Sequence, residues 1–345
     1  MVTIKNMADM LGISPTTVSN VINGKTSEVS KKTVERVQKM LEEYDYVPNG
    51  SAISLTQNRS KIIGVALKSR QGKYENIIAD PFHSELIGSI EAEIRQQGYF
   101  MMIYTSENID EIIRNVLTWN VDGLLLIGML HDDYVRVKSR YKKPVVLIDS
   151  YAPKDLMNYV NVGLEDEKGA YEMTSYLLDC GHRRIAFLAD NMEGVDYIRY
   201  KGHKRALTDY GFTAREEDML IIRPGMLEMA SCMAELYEKA KDYTAFMCCS
   251  DYYAVIIMTY LMDRGMQIPN DLSFTGFDDN HLSRVVRPML TTVRQDVTKK
   301  GRLSVDCLLD LIQGKELQQD VKLPVELVVR DSVKLQPFTR NAAES

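Results

Sequence analysis

From residue 61 onward, short apolar runs alternate with longer amphipathic stretches, and this alternation limits the chain to few folds. The runs are IIGVAL, YFMMIY, GLLLIG, VVLID, RIAFLA, LIIR, AFMCCS and LSFTGF. Runs that are apolar throughout predict strands buried on both faces, and the stretches between them, such as 82–97 and 252–264, predict covering helices. That pattern is typical of parallel α/β sheets. About ten such strands exceed one comfortable sheet, so we expect two α/β lobes.

The first 47 residues follow a different pattern, because their apolar residues recur every three or four positions. A first helix that Thr3 can cap ends at Gly12. A second helix begins with Ser14 as its N-cap and Pro15 at its first position, and a third begins at Ser30. Three short helices predict a small compact module. The polar stretch that follows, 48–60 (PNGSAISLTQNRS), reads as a linker or a weak helix.

The composition excludes some classes of protein. Of the 345 residues, 45% are hydrophobic and 26% are charged, which is ordinary for a globular chain. The chain has no apolar run of membrane-spanning length and its N-terminus lacks the pattern of a secretory signal, so we expect a cytoplasmic protein with no membrane partner. The five cysteines and five histidines show no metal-ligand spacing, so we expect reduced core cysteines, no metal and no cofactor.

Charge is distributed unevenly along the chain. The net charge is −6, but residues 1–61 carry +2 and the remainder carries −8. This difference suggests that the small N-terminal module has a different partner from the rest.

The two helices joined by LGIS fit a helix-turn-helix. One face of the second helix is short and polar, and such a face can enter a major groove about 12 Å wide and reach base edges and phosphates. A small helical bundle with a solvated Ser/Thr face fits the same pattern, so the helices alone leave both interpretations open.

The segments TIKNMADMLGISPTTVSNVINGK and VSKKTVERVQKMLEEYDYVPN resemble the head-piece of the LacI/GalR family of bacterial repressors. The similarity continues through DPFHSEL, NVDGLLLI, PVVLID, GHRRIAFL, RYKGHKRAL, SDYYA, IPNDLSFTGFDD and LTTVRQ to LPVELVVRDS, in family order. It implies a dimeric transcription regulator with a helix-turn-helix head-piece (1–47), a hinge helix or linker (48–60) and an effector-binding and dimerisation domain (61–345). That domain would resemble periplasmic binding proteins, with an N-lobe (about 61–161 and 293–324) and a C-lobe (about 162–292 and 325–340).

Within the head-piece, the resemblance assigns operator reading to Pro15, Thr16 and Asn20. The neighbouring polar side chains would hold phosphates or cap helices: Thr3, Ser14, Thr17, Ser19 and Asn23. Many family members carry Arg at the position of Asn20. Arg favours guanine, whereas Asn can pair bidentately with adenine, so we expect Asn20 to select a different base. The alternative is that Asn20 contacts only a phosphate.

The linker resembles the family's hinge helix, in which Leu55 would enter the minor groove and kink the DNA. Gly50, Ser51 and Ile53 depart from the family pattern. Gly50 should raise the cost of ordering a helix, and the absence of Arg at position 53 removes a phosphate contact. We therefore expect weaker intrinsic DNA affinity or stronger dependence on the effector.

The resemblance also implies an effector cleft between the lobes, because ligands of open α/β sheets gather at strand ends. The family-matched positions are Asp80, Phe82, Asp149, Val162, Arg199, Ser250, Asp251, Asp278 and Gln295. A sugar is the expected effector, with a purine or a phosphorylated partner protein as alternatives. Taken singly, the aspartates could be helix caps and Arg199 a surface charge. The insertion 69–79 (SRQGKYENIIA) either borders the cleft or is a surface loop.

Two other classes of protein, an enzyme and a secreted sugar-binding protein, fit the sequence less well. The adjacent carboxylates Asp278 and Asp279 would point apart in a turn, so an enzyme with paired acids is not expected, and no catalytic residue is predicted. A secreted sugar-binding protein fits the lobes but not the helix-turn-helix. The tail after LVVRDS has no leucine heptads, so we expect a homodimer on double-stranded operator DNA rather than a tetramer.

Overall fold

The computed structural model describes residues 2–46, 59–69, 76–150, 159–223, 225–318 and 320–336. The chain separates into two units, Met1–Ser60 and Lys61–Ser345. Their boundary coincides with the start of the first predicted strand. No helix in the ranges described is long and apolar enough to span a membrane.

The N-terminal unit contains α1 (Ile4–Leu11), α2 (Pro15–Ile22) and α3 (Lys31–Glu43). Capping side chains and a glycine determine where these helices begin and end. Thr3 caps α1 in a capping box, Ser14 caps α2 ahead of Pro15, and Gly12 ends α1 with a left-handed φ of 66°. The apolar faces meet in a small core: Met7, Ala8, Val18, Val21 and Val37.

The N-lobe is built on a six-stranded parallel sheet in the order β11-β5-β4-β3-β1-β2. Its strands are β1 (Ile62–Lys68), β2 (Phe100–Ser106), β3 (Gly123–Ile127), β4 (Val145–Ile148), β5 (Asn161–Leu164) and β11 (Asp320–Leu323). Its helices are α4 (Pro81–Gln96), α5 (Ile109–Thr118), α6 (His131–Arg140) and α12 (Val297–Ile312). The central strands β3 and β4 are buried along their whole length, as strands covered by helices on both faces must be.

The C-lobe has a second six-stranded sheet in the order β12-β10-β9-β8-β6-β7, parallel except for the antiparallel edge pair β10–β12. Its strands are β6 (Ile185–Ala189), β7 (Met219–Ile221), β8 (Ala245–Cys248), β9 (Ser273–Asp278), β10 (Thr291–Gln295) and β12 (Val325–Val328). Its helices are α7 (Asp166–Asp179), α8 (Gly194–Asp209), α9 (Met226–Ala240), α10 (Asp251–Met262) and α11 (His281–Val285). The two-lobed α/β architecture predicted from the sequence is confirmed.

The chain crosses between the lobes three times, and the sheets correct two of the predicted boundaries. The boundary after 161 falls inside β5, and the boundary after 292 falls inside β10. The crossings lie instead at 164–166, between β5 and α7, and at 295–297, between β10 and α12. The third crossing is at Pro324, between β11 and β12. The error arises because a strand buried on both faces has no periodicity to mark its end.

Close packing of α7 on α8 brings two parts of the C-lobe together. A Cβ built on Gly202 would lie 2.1 Å from the carbonyl oxygen of Glu167, so only glycine permits this contact. The approach places the start of α7, beside the first crossing, against the middle of α8. Asp166 and Arg199, one on each helix, consequently meet.

Candidate effector cleft and DNA-reading helix

A cavity of about 200 Å³ lies between the carboxyl ends of the strands of the two lobes. Seven of the nine predicted effector positions line it, and they come from well-separated parts of the chain: Asp80, Phe82, Asp149, Arg199, Ser250, Asp278 and Gln295. Ser69 and Ile77 line it as well, so both ends of the 69–79 insertion border the cavity; residues 70–75 lie outside the described ranges. Parallel sheets bring strand ends to one edge, so residues far apart in sequence converge there.

Val162 and Asp251 are not at the cleft, and the ligand role assigned to them is not supported by their positions. Val162 is fully buried in β5, inside the apolar core of the N-lobe. Asp251 is also fully buried, and its carboxylate accepts hydrogen bonds from Thr292 Oγ1 at 2.5 Å and from the backbone N–H of Asn280 at 2.9 Å. Asp251 therefore ties the start of α10 to β10.

The N-lobe side of the cleft floor is an ion pair. Asp149 follows β4 with a left-handed φ of 52°, a conformation that costs a non-glycine residue energy and is concentrated at functional sites. Its two carboxylate oxygens accept from Lys300 Nζ at 2.8 and 2.7 Å. Lys300, on α12, is fully buried and also donates to Gln295 Oε1 at 2.7 Å. Burial raises the pKa of Asp149, and the charge of Lys300 opposes that rise.

The C-lobe side of the floor centres on Asp278 at the end of β9. Gln295 Nε2 donates to Asp278 Oδ1 at 2.5 Å, so Gln295 joins Asp278 to Lys300. Asp278 has φ 122°, again outside the usual range for a side chain with a Cβ. Burial raises the pKa of Asp278 to about 7, against the opposing charge of Arg199.

Arg199 on α8 is held from several directions. Its Nε donates to Asp166 Oδ1 at 2.8 Å, its Nη1 donates to the carbonyl of Cys249, and its guanidinium lies 3.5 Å from the centre of the Phe277 ring. Arg199 is 6% exposed and Asp166 is 1% exposed. The Asp166 carboxylate raises the pKa of the guanidinium despite its burial, so the charge of Arg199 is permanent.

Apolar side chains also line the cleft: Ile77, Phe82, Ile127, Met129, Leu130 and Val195. The cavity therefore combines apolar side chains, including an aromatic ring, with carboxylate, amide and guanidinium groups. Such a combination holds a small polar molecule in one orientation.

The sequence pattern did not single out several groups that the fold brings to the cleft. Tyr253 lines it and donates from its hydroxyl to Asp190 at 2.7 Å, and Lys68 lines it while paired with Asp133 at 2.9 Å. Lys300 does not line the cleft but donates hydrogen bonds to the lining residues Asp149 and Gln295. One signal could have indicated Lys300: a lysine in the first turns of a helix opposes the helix dipole, which suggests an acidic partner elsewhere.

The outward face of α2 contains two kinds of side chain. Some cap helices: Ser14 Oγ accepts from the Thr17 N–H at 3.1 Å, and Asn23 Nδ2 donates to the Ser19 carbonyl at 2.8 Å. Thr3 likewise caps α1. The side chains of the three residues assigned to base reading do not cap a helix. Pro15 and Thr16 are exposed, and the amide of Asn20 makes no side-chain hydrogen bond to any described residue. Leu55 and the departures at 50, 51 and 53 lie outside the described residues.

Two family models match the chain. "Bacterial regulatory proteins, lacI family" covers residues 3–49, and "Periplasmic binding protein-like domain" covers residues 174–333. A protein of Haemophilus influenzae described as HTH-type transcriptional repressor PurR is 33% identical over 97% of this chain and 99% of its own length. The corresponding protein of Vibrio atlanticus is 32% identical over the same shares.

Solved structures agree with this match. The lac repressor dimer bound to operator and the anti-inducer ONPF superposes with a TM-score of 0.84, 27% identity and coverage of 96% of this chain and 99% of the other. The transcriptional regulator CelR in complex with cellobiose superposes with a TM-score of 0.70 and 25% identity. The match covers 96% of this chain and 100% of the CelR chain. The chain therefore belongs to the LacI family of bacterial regulatory proteins, as its motifs predicted. It is a DNA-binding transcriptional repressor of that family, and its relatives are repressors rather than enzymes.

Proposed function

We propose that this repressor controls genes of carbohydrate use and responds to a sugar in the interlobe cleft. The observation that carries the proposal is the convergence of Asp149, Arg199, Asp278 and Gln295 on one cavity that also contains the ring of Phe82. Carboxylate, amide and guanidinium groups suit vicinal hydroxyls, and an aromatic ring suits the apolar face of a pyranose. The structural similarity to a regulator described in complex with cellobiose supports the same ligand class.

A purine is the second candidate ligand. Phe82 offers a ring on which a planar base can stack, and Asp278 and Gln295 offer an acceptor and an amide for its polar edge. A thermal-shift comparison of sugars with nucleobases separates the two classes, because a bound ligand raises the melting temperature. A phosphorylated partner protein is the third candidate effector.

The mechanism that we propose is linkage between the cleft and the operator. Two chains pair through their α/β regions as a dimer and place two head-pieces on a pseudo-palindromic operator. Closure of the lobes on the ligand changes the pairing of the N-lobes and thereby the placement of the two head-pieces on the operator. The floor contacts Asp149–Lys300 and Gln295–Asp278 lie where the second crossing joins the lobes, so a ligand bound there acts at the point of lobe movement.

Linkage makes a quantitative prediction about the whole dimer. The factor by which a ligand changes operator affinity must equal the factor by which operator DNA changes ligand affinity. We expect a coupling of roughly 5- to 150-fold, measured by titrating operator with and without ligand and ligand with and without operator. A scrambled duplex is the control. Unequal factors would reject the linkage mechanism, whereas loss of operator binding altogether would reject the regulatory function.

A second prediction concerns Asn20 on the outward face of α2. Asn20→Arg should change the preferred base at one position of each half-site from adenine towards guanine, because Arg donates to the O6 and N7 acceptors of guanine, whereas Asn pairs with N6 and N7 of adenine. Binding selections on random operators measure the change. Gln38→Arg on the exposed face of α3 is the matched control and should strengthen binding without altering the sequence preference. The same preference in the Asn20 variant and the parent would show that this residue contacts only the backbone.

A further inference from the structure

The turn that follows β9 contains two consecutive residues with left-handed backbone, and the first of them is the cleft residue Asp278. The φ angles are 122° at Asp278 and 54° at Asp279. Neither residue is a glycine, so both conformations cost energy and persist only where the surrounding structure enforces them. Contacts from outside the turn must therefore hold Asp278 in the direction in which it meets the cavity.

The carboxylate of Asp279 makes such contacts. It is buried and does not line the cavity. Its Oδ2 accepts from Arg294 Nε at 2.7 Å, and its Oδ1 accepts from Arg330 Nη2 and from Ser283 Oγ, the latter at 3.1 Å. Arg284 Nη2 donates to the Asp279 carbonyl at 3.0 Å. Burial acts to raise the pKa of Asp279, but the hydrogen bonds from Arg294 and Arg330 outweigh it, so the pKa lies below its usual value and the carboxylate is an anion.

The arginines that bind this carboxylate connect the turn to the neighbouring strands. Arg294 lies on β10, opposite Asp278 in the register of β9 and β10, and directly precedes Gln295. Arg330 follows β12, the strand that pairs with β10 on its other side. The ion pair between Asp279 and Arg294 therefore fixes the turn against the end of β10. It thereby fixes the spacing of Asp278 and Gln295, which are joined by a hydrogen bond of 2.5 Å.

A second buried carboxylate, that of Asp251, holds the other end of the turn. It accepts from the backbone N–H of Asn280 at 2.9 Å and from Thr292 Oγ1 at 2.5 Å. A Cβ built on Gly276 would lie 2.2 Å from Asp251 Oδ1, so the backbone of β9 packs directly against this carboxylate. Asp251 also directly follows Ser250, which lines the cavity. The turn is thus tied to the start of α10 as well as to β10.

We propose that Asp279 is a positioning residue for effector recognition, which holds the strained turn so that Asp278 and Gln295 are arranged for the ligand before it binds. This inference rests on the proposed function and applies to a sugar or a purine alike. Groups arranged in advance bind more tightly, because the ligand does not have to order them. A merely structural role would lower stability without changing the protection of this turn or the affinity for a ligand.

Two variants of Asp279 and two controls test the proposal. Asp279→Gly removes the carboxylate, and glycine adopts a φ of 54° without strain. Asp279→Asn keeps the shape and one acceptor oxygen but loses the charge. Leu236→Ala, in the core beneath α9 and outside the cavity lining, lowers stability without touching the turn. Glu326→Gln alters the exposed second partner of Arg294, at 3.0 Å, and leaves the pair with Asp279 in place.

The first measurement needs no ligand. Hydrogen exchange of the unliganded full-length protein is followed by mass spectrometry, peptide by peptide. In both Asp279 variants we expect exchange at least about tenfold faster in peptides that cover 278–282 and 293–296, because local opening there becomes easier. In Leu236→Ala the increase should centre on α9, and Glu326→Gln should exchange like the parent.

The second measurement is calorimetric titration with glucose, galactose, cellobiose, adenine and hypoxanthine. The probe that binds the parent most tightly is then titrated against each variant. Both Asp279 variants should bind it about tenfold or more weakly, because the ligand must then order the turn. Leu236→Ala and Glu326→Gln should stay within about twofold of the parent, since neither residue contacts the turn.

Faster exchange of the turn together with weaker binding in the Asp279 variants supports the proposal. Unchanged exchange of the turn, parental affinity in Asp279→Gly, or an equal loss of affinity in Leu236→Ala overturns it. If Asp279→Gly does not fold, Asp279→Asn gives the same comparisons. If no probe binds the parent, the proposed sugar and purine classes are wrong, and the hydrogen exchange alone decides whether Asp279 holds the turn.

Discussion

Arg199→Met should destabilise the protein by about 3–5 kcal/mol and remove ligand binding, because it takes the guanidinium away from the buried carboxylate of Asp166. Asp166 is 1% exposed, so water cannot replace the guanidinium. The variant also removes the stacking on Phe277 and the hydrogen bond to the Cys249 carbonyl. Urea unfolding at fixed protein concentration measures the loss of stability, and calorimetric titration measures the loss of binding.

Two further variants distinguish the buried charge from a general packing defect. Arg205→Met, on the same helix, removes an ion pair to Glu167 in which the two side chains are 49% and 37% exposed, so it should cost no more than about 1 kcal/mol. Arg199→Met/Asp166→Leu replaces both buried charges with apolar groups and should recover much of the lost stability, although not ligand binding. A double variant as unstable as the single one would mean that Arg199 acts through packing.

Local chemistry made much of the head-piece predictable from the sequence. Ser14 followed by Pro15 specifies a helix start, and Gly12 can adopt the left-handed conformation that ends α1. The structure has these caps at the predicted positions. The strands of the two lobes were equally predictable, because a short run that is apolar throughout has few alternatives in an α/β chain.

The arrangement of the cleft was predictable only in part. Asp251 directly follows the cleft residue Ser250, and Val162 pairs in the sheet with Ile148, the residue before Asp149. The direction of a side chain depends on its position in the strand or helix, and the ends of buried strands carry no periodic signal, so the sequence did not exclude either residue. Lys300 was missed for another reason. Its partner Asp149 is 151 residues away in the chain, and only the packing of α12 beside β4 makes them neighbours.

Asp278→Asn should make the unliganded protein more stable than the parent at pH 8 while weakening ligand binding. Burial raises the pKa of Asp278 from 3.8 to about 7, so between these values the folded state holds a proton that the unfolded state has lost. Stability from this group therefore falls as pH rises from about 4 to about 7 and stays low above that. At 1.36 kcal/mol per pKa unit, the loss is up to about 4 kcal/mol.

Asparagine has the same shape and cannot ionise, so the variant avoids that loss. Its Oδ1 can still accept from Gln295 Nε2, which limits the cost of the substitution at low pH. The free energy of unfolding of the variant minus that of the parent should thus increase from pH 4.5 to pH 8. His203, whose pKa burial lowers to about 4, contributes the opposite trend, but it does so in both proteins and cancels in the difference. A difference independent of pH would show that Asp278 is ionised in the folded protein throughout, held so by Arg199 and Lys300.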